Sequence, residues 1–308
     1  YSSVNPKGET WLSNAASNSS GGGLTFSDEY GFGVVDAHAA VRLAETWTET
    51  STASNLISVS KKETQDFDIL DTDVVSDTLT ISKSDLAAGS KELLLDHVEV
   101  DLTLSHSFVG DLLIELESPG GTTSVLMDRP LKGTYEGTGK LEFAFDTVQF
   151  WGETVIGNWK LHVTDTETGN TGTVEEWTLN LYGDTYSEDT NYIFTDEWNS
   201  LGADAARNTI EDTAGYDTFN FSAMTSVVNL DMNVNAVSVV GDAPMVIAST
   251  SVVEKAVGGD AADTLSGNAE ANTLLGMRGD DQLFGMAGDD ILYGGAGNNL
   301  IAGGYGTD

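Results

Sequence analysis

Six oxygen-bearing side chains recur every nine residues at the end of this 308-residue chain: Asp263, Asn272, Asp281, Asp290, Asn299 and Asp308. Carboxylates and amides gathered at such spacing point to the chemistry of a hard cation. Stacked carboxylates repel one another unless an oxygen-seeking ion lies between them, and calcium accepts mixed carboxylate and carbonyl shells of flexible geometry. Each of these residues is sixth in a block that opens on glycine, at Gly258, Gly267, Gly276, Gly285, Gly294 and Gly303. Two residues further on stands an apolar side chain: Leu265, Leu274, Leu283, Leu292 or Ile301.

The element that must position them follows from that period. Two blocks make one coil of a parallel solenoid, so residues 18 apart stack. The apolar eighth residue points inward as a thin core, with polar neighbours outward. Glycines permit positive φ and let backbone carbonyls approach an ion. Stacking pairs Asp263 with Asp281, Asn272 with Asp290, Asp281 with Asn299 and Asp290 with Asp308. An Asn offers a neutral oxygen where Asp offers a full charge, so the two mixed pairs are expected to bind more weakly. A Gly/Asp-rich linker would not keep so strict a period. Asp111 and Asp165, at loop positions beside strands, and Asp217, in the turn Gly215-Tyr216-Asp217, are further candidate ligands.

Other chemistry is harder to place. His106, Asp111 and Ser118 form a superficial trio, but a catalytic triad is recognised by geometry rather than proximity in sequence. The expected roles are structural: His106 orders a turn, Asp111 caps or ligates, and Ser118 belongs to the turn Ser118-Pro119-Gly120-Gly121. The metalloprotease signature His-Glu-x-x-His does not occur. Trp159 and Trp177 alternate with polar neighbours and read as core residues; Trp151, beside Gly152 and Glu153, is left open for carbohydrate.

Composition bounds the function classes. There are 13 Lys+Arg against 49 Asp+Glu, a net charge of −36. Such a field repels phosphate backbones and anionic membranes, so no nucleic-acid partner is expected. No apolar run is long enough to span a bilayer, so no membrane insertion is expected. With no cysteine, disulfides and thiol catalysis are excluded. The chain begins at Tyr1 rather than Met, shows no signal peptide, and stops within a block at Asp308; it reads as a fragment.

Three segments precede or carry the repeats. In the first, residues 1–47, a Ser/Gly stretch from Asn18 to Gly23 leads to Tyr30-Gly31-Phe32-Gly33-Val34-Val35-Asp36, where Asp36 reads as an N-cap. A helix should follow to about Trp47, with Val41 and Ala44 on its buried side. A Ser/Thr-rich link covers 48–63. Over 64–184 the period changes to two. Val98, Val100, Leu102 and Leu104 share one face, as do Leu112, Ile114 and Leu116, then Trp159, Leu161 and Val163, then Trp177, Leu179 and Leu181. Half-buried antiparallel strands at this spacing argue for a β-sandwich. Residues 185–257 form a β-rich lead-in to the repeats at 258–308. The expected fold class is mainly β: a jelly-roll-like antiparallel sandwich followed by a parallel β-roll, with a short N-terminal helix-containing segment.

Several stretches also resemble known families. His106-Ser107-Phe108-Val109-Gly110-Asp111-Leu112, Leu116-Glu117-Ser118-Pro119-Gly120-Gly121-Thr122, Phe150-Trp151-Gly152-Glu153, Gly157-Asn158-Trp159-Lys160-Leu161 and the closing Trp177 to Gly183 resemble the P domain of proprotein convertases. Residues 30–41 resemble the closing strand and helix of subtilisin/kexin serine protease domains. The family's nucleophile context, Gly-Thr-Ser, does not occur, and none of His38, His97, His106 and His162 lies in its catalytic context. The nonapeptides, approaching Gly-Gly-x-Gly-x-Asp-x-U-x with U apolar, are similar to the RTX β-roll of serralysin-type secreted proteases.

The RTX resemblance implies calcium as cofactor and carbonyl ligands from block positions two and four of one coil and one and three of the next. Those are Gly259, Ala261, Gly276 and Arg278 with Asp263 and Asp281. Met286, Gly288, Gly303 and Tyr305 accompany Asp290 and Asp308, while Gly285 and Ala287 serve the Asn272–Asp290 position. Departures at Ala261, Asn268, Glu270, Met277 and Met286, where glycine is expected, and at Asn272 and Asn299, imply weaker sites. Together the resemblances imply the non-catalytic C-terminal region of a secreted, calcium-dependent serine endopeptidase. Its partners would be an upstream catalytic domain, calcium ions and a bacterial one-step export machinery. The alternative is a non-enzymatic calcium-binding adhesin or matrix module.

Overall fold

A computed structural model describes residues 11–16, 25–27, 31–47, 56–87, 90, 92–130, 139–185, 187–202 and 208–308. The Ser/Gly stretch 18–23, Tyr30 and the link over 48–55 lie outside these residues.

At the N-terminal side, β1 (Leu12–Ser13) and β2 (Thr25–Phe26) pair antiparallel. Helix α1 spans Ala37–Ala44, and the Asp36 carboxylate caps it by accepting from the His38 and Ala39 amides, each at 3.0 Å. The helix stops three residues short of Trp47. Its inner face also differs from expectation: Ala39, Arg42, Leu43 and Thr46 are half-buried, whereas Val41 and Ala44 are exposed. Positions i, i+3, i+4 and i+7 do form one stripe, but the surface it meets is polar, so the stripe carrying Arg42 and Thr46 is the one that docks.

The sandwich is built from β3 (Ile57–Glu63), β4 (Phe67–Ile69), β5 (Val74–Ile81), β6 (Leu93–His106), β7 (Leu112–Glu117), β8 (Thr123–Asp128), β9 (Lys140–Thr147), β10 (Gly157–Asp165) and β11 (Gly172–Thr185). One sheet runs β5-β10-β7-β8 and the other β3-β11-β6-β9, with β4 also on β11; all pairs are antiparallel. Strand β3 corrects the reading of 48–63 as link. Residues 57–63 pair with β11 because Val59 fills the sandwich core while its neighbours Ser58 and Ser60 face outward, a period of two hidden by polar composition.

The expected inward residues of β6, β7, β10 and β11 are all buried, and Trp159 and Trp177 lie fully inside. Their ring nitrogens are satisfied, Trp159 by the Val155 carbonyl at 3.0 Å and Trp177 by Asp77 at 2.8 Å. A bulge at Asp96 shifts the phase of β6, so that Leu93 and Leu95 face inward as well as Val98 and Val100.

The solenoid starts well before Gly258. Strands β12 (Asn191–Thr195), β14 (Thr218–Ala223), β18 (Lys255–Val257), β20 (Thr273–Leu275) and β22 (Ile291–Tyr293) stack in parallel as one sheet. A short helix α2 (Trp198–Leu201) and β13 (Thr209–Ile210) lie between the first two. The opposing sheet contains β13, β15 (Val228–Asp231), β16 (Val237–Val240), β17 (Ala243–Ile247), β19 (Thr264–Ser266), β21 (Gln282–Ala287) and β23 (Leu300–Tyr305). Within the repeats every register is 18 residues: Leu265 over Leu283 over Ile301, and Leu274 over Leu292. Leu265, Leu274 and Leu283 are fully buried; Leu292 is half-buried and Ile301 exposed, because β22 and β23 are sheet edges with a neighbour on one side.

Candidate metal centre

The carboxylate ladder lies on the corners of the roll. The amide of Asp263 donates to Asp281 Oδ1 at 2.9 Å, Asn272 to Asp290 Oδ1 at 2.8 Å, Asp281 to Asn299 Oδ1 at 2.9 Å, and Asp290 to Asp308 Oδ1 at 3.2 Å. All four 18-residue pairs are therefore in contact, each side chain accepting from the backbone of the coil before it. The ladder extends into the lead-in, where the Val228 amide donates to Asp263 Oδ1 at 2.8 Å.

The second oxygens are what a cation would need. Asp281 Oδ2 and Asp290 Oδ2 are buried without a hydrogen-bond partner. The backbone leaves an oxygen-lined space at each corner: a Cβ on Gly276 would lie 2.5 Å from Asp281 Oδ2 and 2.6 Å from the Gly294 carbonyl. Gly258 stands likewise to Asp263 Oδ2 and the Gly276 carbonyl, and Gly285 to Asp290 Oδ2 and the Gly303 carbonyl. Among the described residues no three acidic or histidine side chains gather closely enough to hold an ion by themselves, so carbonyls must complete any shell. That donor set, two carboxylates with neutral oxygens, fits calcium.

Electrostatics point the same way. Burial, with Asp281 and Asp260 nearby, pushes the Asp263 carboxyl up to about 6; burial and the neighbouring Asp280 raise Asp281. Carboxylates that resist ionisation alone are those a bound cation stabilises. The Asn positions differ. The amide of Asn299 donates to the Gly295 carbonyl at 3.4 Å and that of Asn272 to the Val253 carbonyl at 3.5 Å, so each side chain satisfies oxygens of its own corner.

The carbonyls implied by resemblance sit along these corners. Gly259 accepts from the Arg278 amide at 3.3 Å and Tyr305 from Gly288 at 3.0 Å, each retaining a lone pair. The carbonyls of Ala261, Met286 and Gly288 lie against Gly279, Gly304 and Gly306 of the following coil. Ala287 pairs with Tyr305 across β21 and β23.

Met277 (φ 68°) and Met286 (φ 76°) occupy the left-handed conformation that Gly295 and Gly304 adopt at the same block position. Met286 is exposed, so Met286→Gly removes strain at little packing cost. It is expected to stabilise the roll by about 1 kcal/mol, read as a raised midpoint in denaturant unfolding.

The other candidates fall elsewhere. Asp217 is buried at the upstream end of one corner column, stacked on Glu254: its amide donates to Glu254 Oε2 at 2.7 Å and its Oδ1 accepts from Thr190 at 2.8 Å. Burial first, then Asp212, Glu254 and Asp189, push it to about 6. In the sandwich, Asp165 faces His106, Oδ2 to Nε2 at 3.4 Å, both side chains fully buried. Asp111 lies beside them, its carbonyl accepting from Thr166 Oγ1 at 2.7 Å. Ser118 is not part of this group. Its hydroxyl donates to the buried Glu153 at 2.5 Å, so His106, Asp111 and Ser118 are not assembled as a triad.

Glu153 was not singled out from sequence, and it holds the N-terminal segment. Its Oε1 accepts from the Ala15 amide at 2.9 Å, Thr122 Oγ1 accepts from the same amide at 2.8 Å, and Asn14 Nδ2 donates to the Gln149 and Trp151 carbonyls. Trp151, left open for carbohydrate, packs edge-on against Phe32 with ring centroids 5.6 Å apart. The turn 118–122 and the loop 149–153 thus form a seat for residues 14–16. Glu153→Ala would strand the buried Ser118 hydroxyl and leave the Ala15 amide with Thr122 Oγ1 alone; it is expected to lower stability by about 2 kcal/mol. Calorimetry reads that loss, and faster proteolysis near Ala16 reads release of the segment.

Residues 95–181 match the proprotein convertase P-domain family, and residues 257–292 and 284–308 match the RTX calcium-binding nonapeptide repeat. The chain is 36% identical to mouse furin over 168 residues, covering 53% of this chain and 20% of that protein. It is 29% identical to Protease KEX1 of Kluyveromyces lactis over 184 residues, covering 59% and 23%. It thus spans about a fifth of the length of these relatives. Among solved structures it is similar to the Aeromonas sobria serine protease in complex with a chaperone, at 27% identity and a TM-score of 0.47, covering 58% of this chain and 34% of that one. The chain therefore carries a proprotein convertase P domain followed by RTX calcium-binding repeats, the makeup of a C-terminal region related to the subtilisin/kexin proteases.

Proposed function

We propose that this chain is the non-catalytic C-terminal region of a secreted, calcium-dependent subtilisin/kexin-like serine endopeptidase. The observation that carries this reading is that both modules grip the segment preceding them. The P domain seats Asn14–Ala16 through Glu153 and Thr122, and the roll holds α1 through Arg42 and Thr46. A brace of this kind supports the protease reading over a free-standing adhesin, which has no need to clasp a protease-like tail. Asp263, Asp281, Asp290 and Asp308, with the flanking carbonyls, would hold the ions. Bound calcium supplies the positive charge that stacked carboxylates otherwise lack.

In a calcium-poor cell interior the acidic, glycine-rich coils stay unrolled, which suits passage through a one-step exporter, and calcium outside drives folding by mass action. Peptide-bond cleavage belongs to the parent enzyme. Two measurements on the purified chain test this. Calorimetric titration should show calcium binding with heat and folding, and casein should remain uncut with or without calcium. Absence of calcium binding overturns the scaffold role; hydrolysis blocked by a serine-directed inhibitor overturns the non-catalytic assignment.

A further inference from the structure

Helix α1 lies across three successive layers of the roll. Thr46 Oγ1 contacts Ser222 Oγ at 3.1 Å and accepts from Asn220 Nδ2 at 3.0 Å, on β14. One layer on, Asp260 receives Arg42 Nε at 3.0 Å and lies 3.1 Å from His38 Nε2. In the next layer, Arg278 Nη2 bonds Glu45 at 2.8 Å, while its Nη1 lies 3.6 Å from Asp260. Arg42 also reaches Glu45 at 3.1 Å, closing a network of two arginines and two carboxylates.

The two anchoring residues are not at arbitrary places on the roll. Asp260 stands between Gly259 and Ala261, and Arg278 follows Gly276 and Met277 one coil further on. These are the two loops that lead to Asp263 and Asp281, whose backbone and carboxylate are joined at 2.9 Å. The loops also touch directly, the Arg278 amide donating to the Gly259 carbonyl at 3.3 Å. The separation of Asp260 from Arg278, which the helix bridges, is thus the spacing of the same two loops at which Asp263 and Asp281 stack.

We propose that the first ion position of the roll doubles as a calcium-controlled clasp for helix α1: loading at Asp263 and Asp281 fixes loops 258–263 and 276–281 at the spacing that Arg42 and Glu45 bridge. The inference rests on the calcium reading above and adds a coupling to it. By reciprocity, the docked helix raises the roll's affinity for calcium by the factor by which calcium favours docking. An eight-residue helix has little stability of its own, so its amide protection reports docking.

Hydrogen exchange across a calcium titration of the whole chain tests this. In the wild type, amides of 40–46 should gain protection together with those of 258–281. Arg42→Glu replaces an attraction with a repulsion at partly exposed pairs and leaves every proposed ion ligand in place. It should move the midpoint for 258–281 to about fivefold higher calcium and abolish the calcium-dependent protection of 40–46. Thr46→Val, which removes the contacts to β14 at nearly constant volume, should shift the midpoint in the same direction. If 258–281 responds to calcium while 40–46 is equally protected in chelator, or if neither variant moves the midpoint, the coupling is overturned and the calcium reading stands. If 258–281 itself gains no protection in the wild type, both fall together.

Discussion

Replacing Asp281 with alanine is expected to be the most damaging single change in the roll. Its Oδ1 accepts from the Asp263 amide at 2.9 Å, its own amide donates to Asn299 Oδ1 at 2.9 Å, and its Oδ2 is buried without a partner. The side chain therefore borders two stacked positions, one shared with Asp263 and one with Asn299. An ion bound at a hundred times its dissociation constant stabilises the rolled state by about 2.7 kcal/mol. Losing a carboxylate from two such positions should cost on the order of 5 kcal/mol in calcium-saturated solution. Far-ultraviolet circular dichroism during calcium titration of the whole chain reads this. The sandwich supplies a constant background, and the calcium-dependent strand increment should need more than tenfold higher calcium in Asp281→Ala. Asp281→Asn, which keeps the acceptor but not the charge, should fall between. An unchanged titration in Asp281→Ala would remove the ladder from the calcium scaffold.

In chelator, the roll should lose stability as pH rises, opposite to the usual behaviour of a carboxylate-rich protein. Asp263 has its folded-state pKa raised, mainly by burial, from 3.8 to about 6, and Asp281 is raised by the same cause. A raised pKa means the folded form holds its proton more tightly than the unfolded chain. The contribution to stability is fully present below about pH 4 and is lost as pH rises through about 6. For Asp263 the swing is on the order of 2–3 kcal/mol. Calcium should reverse the slope, because the ion binds the ionised carboxylates. Amide exchange confined to 258–308, measured between pH 4 and 7 with chelator and then with calcium, separates the roll from the sandwich. A flat profile in chelator would sink the burial argument.

How legible each part was depended on how local its physics is. The roll could be read in detail, because a nine-residue period with an apolar eighth position is imposed by adjacent coils of the same shape. Leu265, Leu274 and Leu283 are buried as that period requires. The alternation in β6, β7, β10 and β11 was equally direct, since successive side chains point to opposite faces whatever the topology. Strand β3 was obscured because Ser58, Ser60 and Lys62 face away from the core and the inner face itself carries Lys61, whose ammonium reaches the Thr80 carbonyl and Asp85, leaving Val59 as its buried apolar residue. The upstream ladder member Val228 carried no signal, because the inserted strands β16 and β17 take its spacing to Asp263 off the regular nine. Glu254 keeps the 18-residue register to Asn272 but stands in a stretch without the block-opening glycine.

The chain of residues alone determined that its end winds into stacked coils, that oxygen-bearing side chains meet at 18-residue intervals, and that a two-sheet sandwich precedes them. Periodicity and the stereochemistry of glycine suffice for that. Only the tertiary structure decided which face of α1 is inner, that Glu153 joins Ser118 to Ala15, and that Asp260 and Arg278 hold Arg42 and Glu45. Those pairings span 35 to more than 200 residues, and no local propensity encodes them. A charged side chain at the surface has many equivalent partners until the packing of whole modules leaves it one.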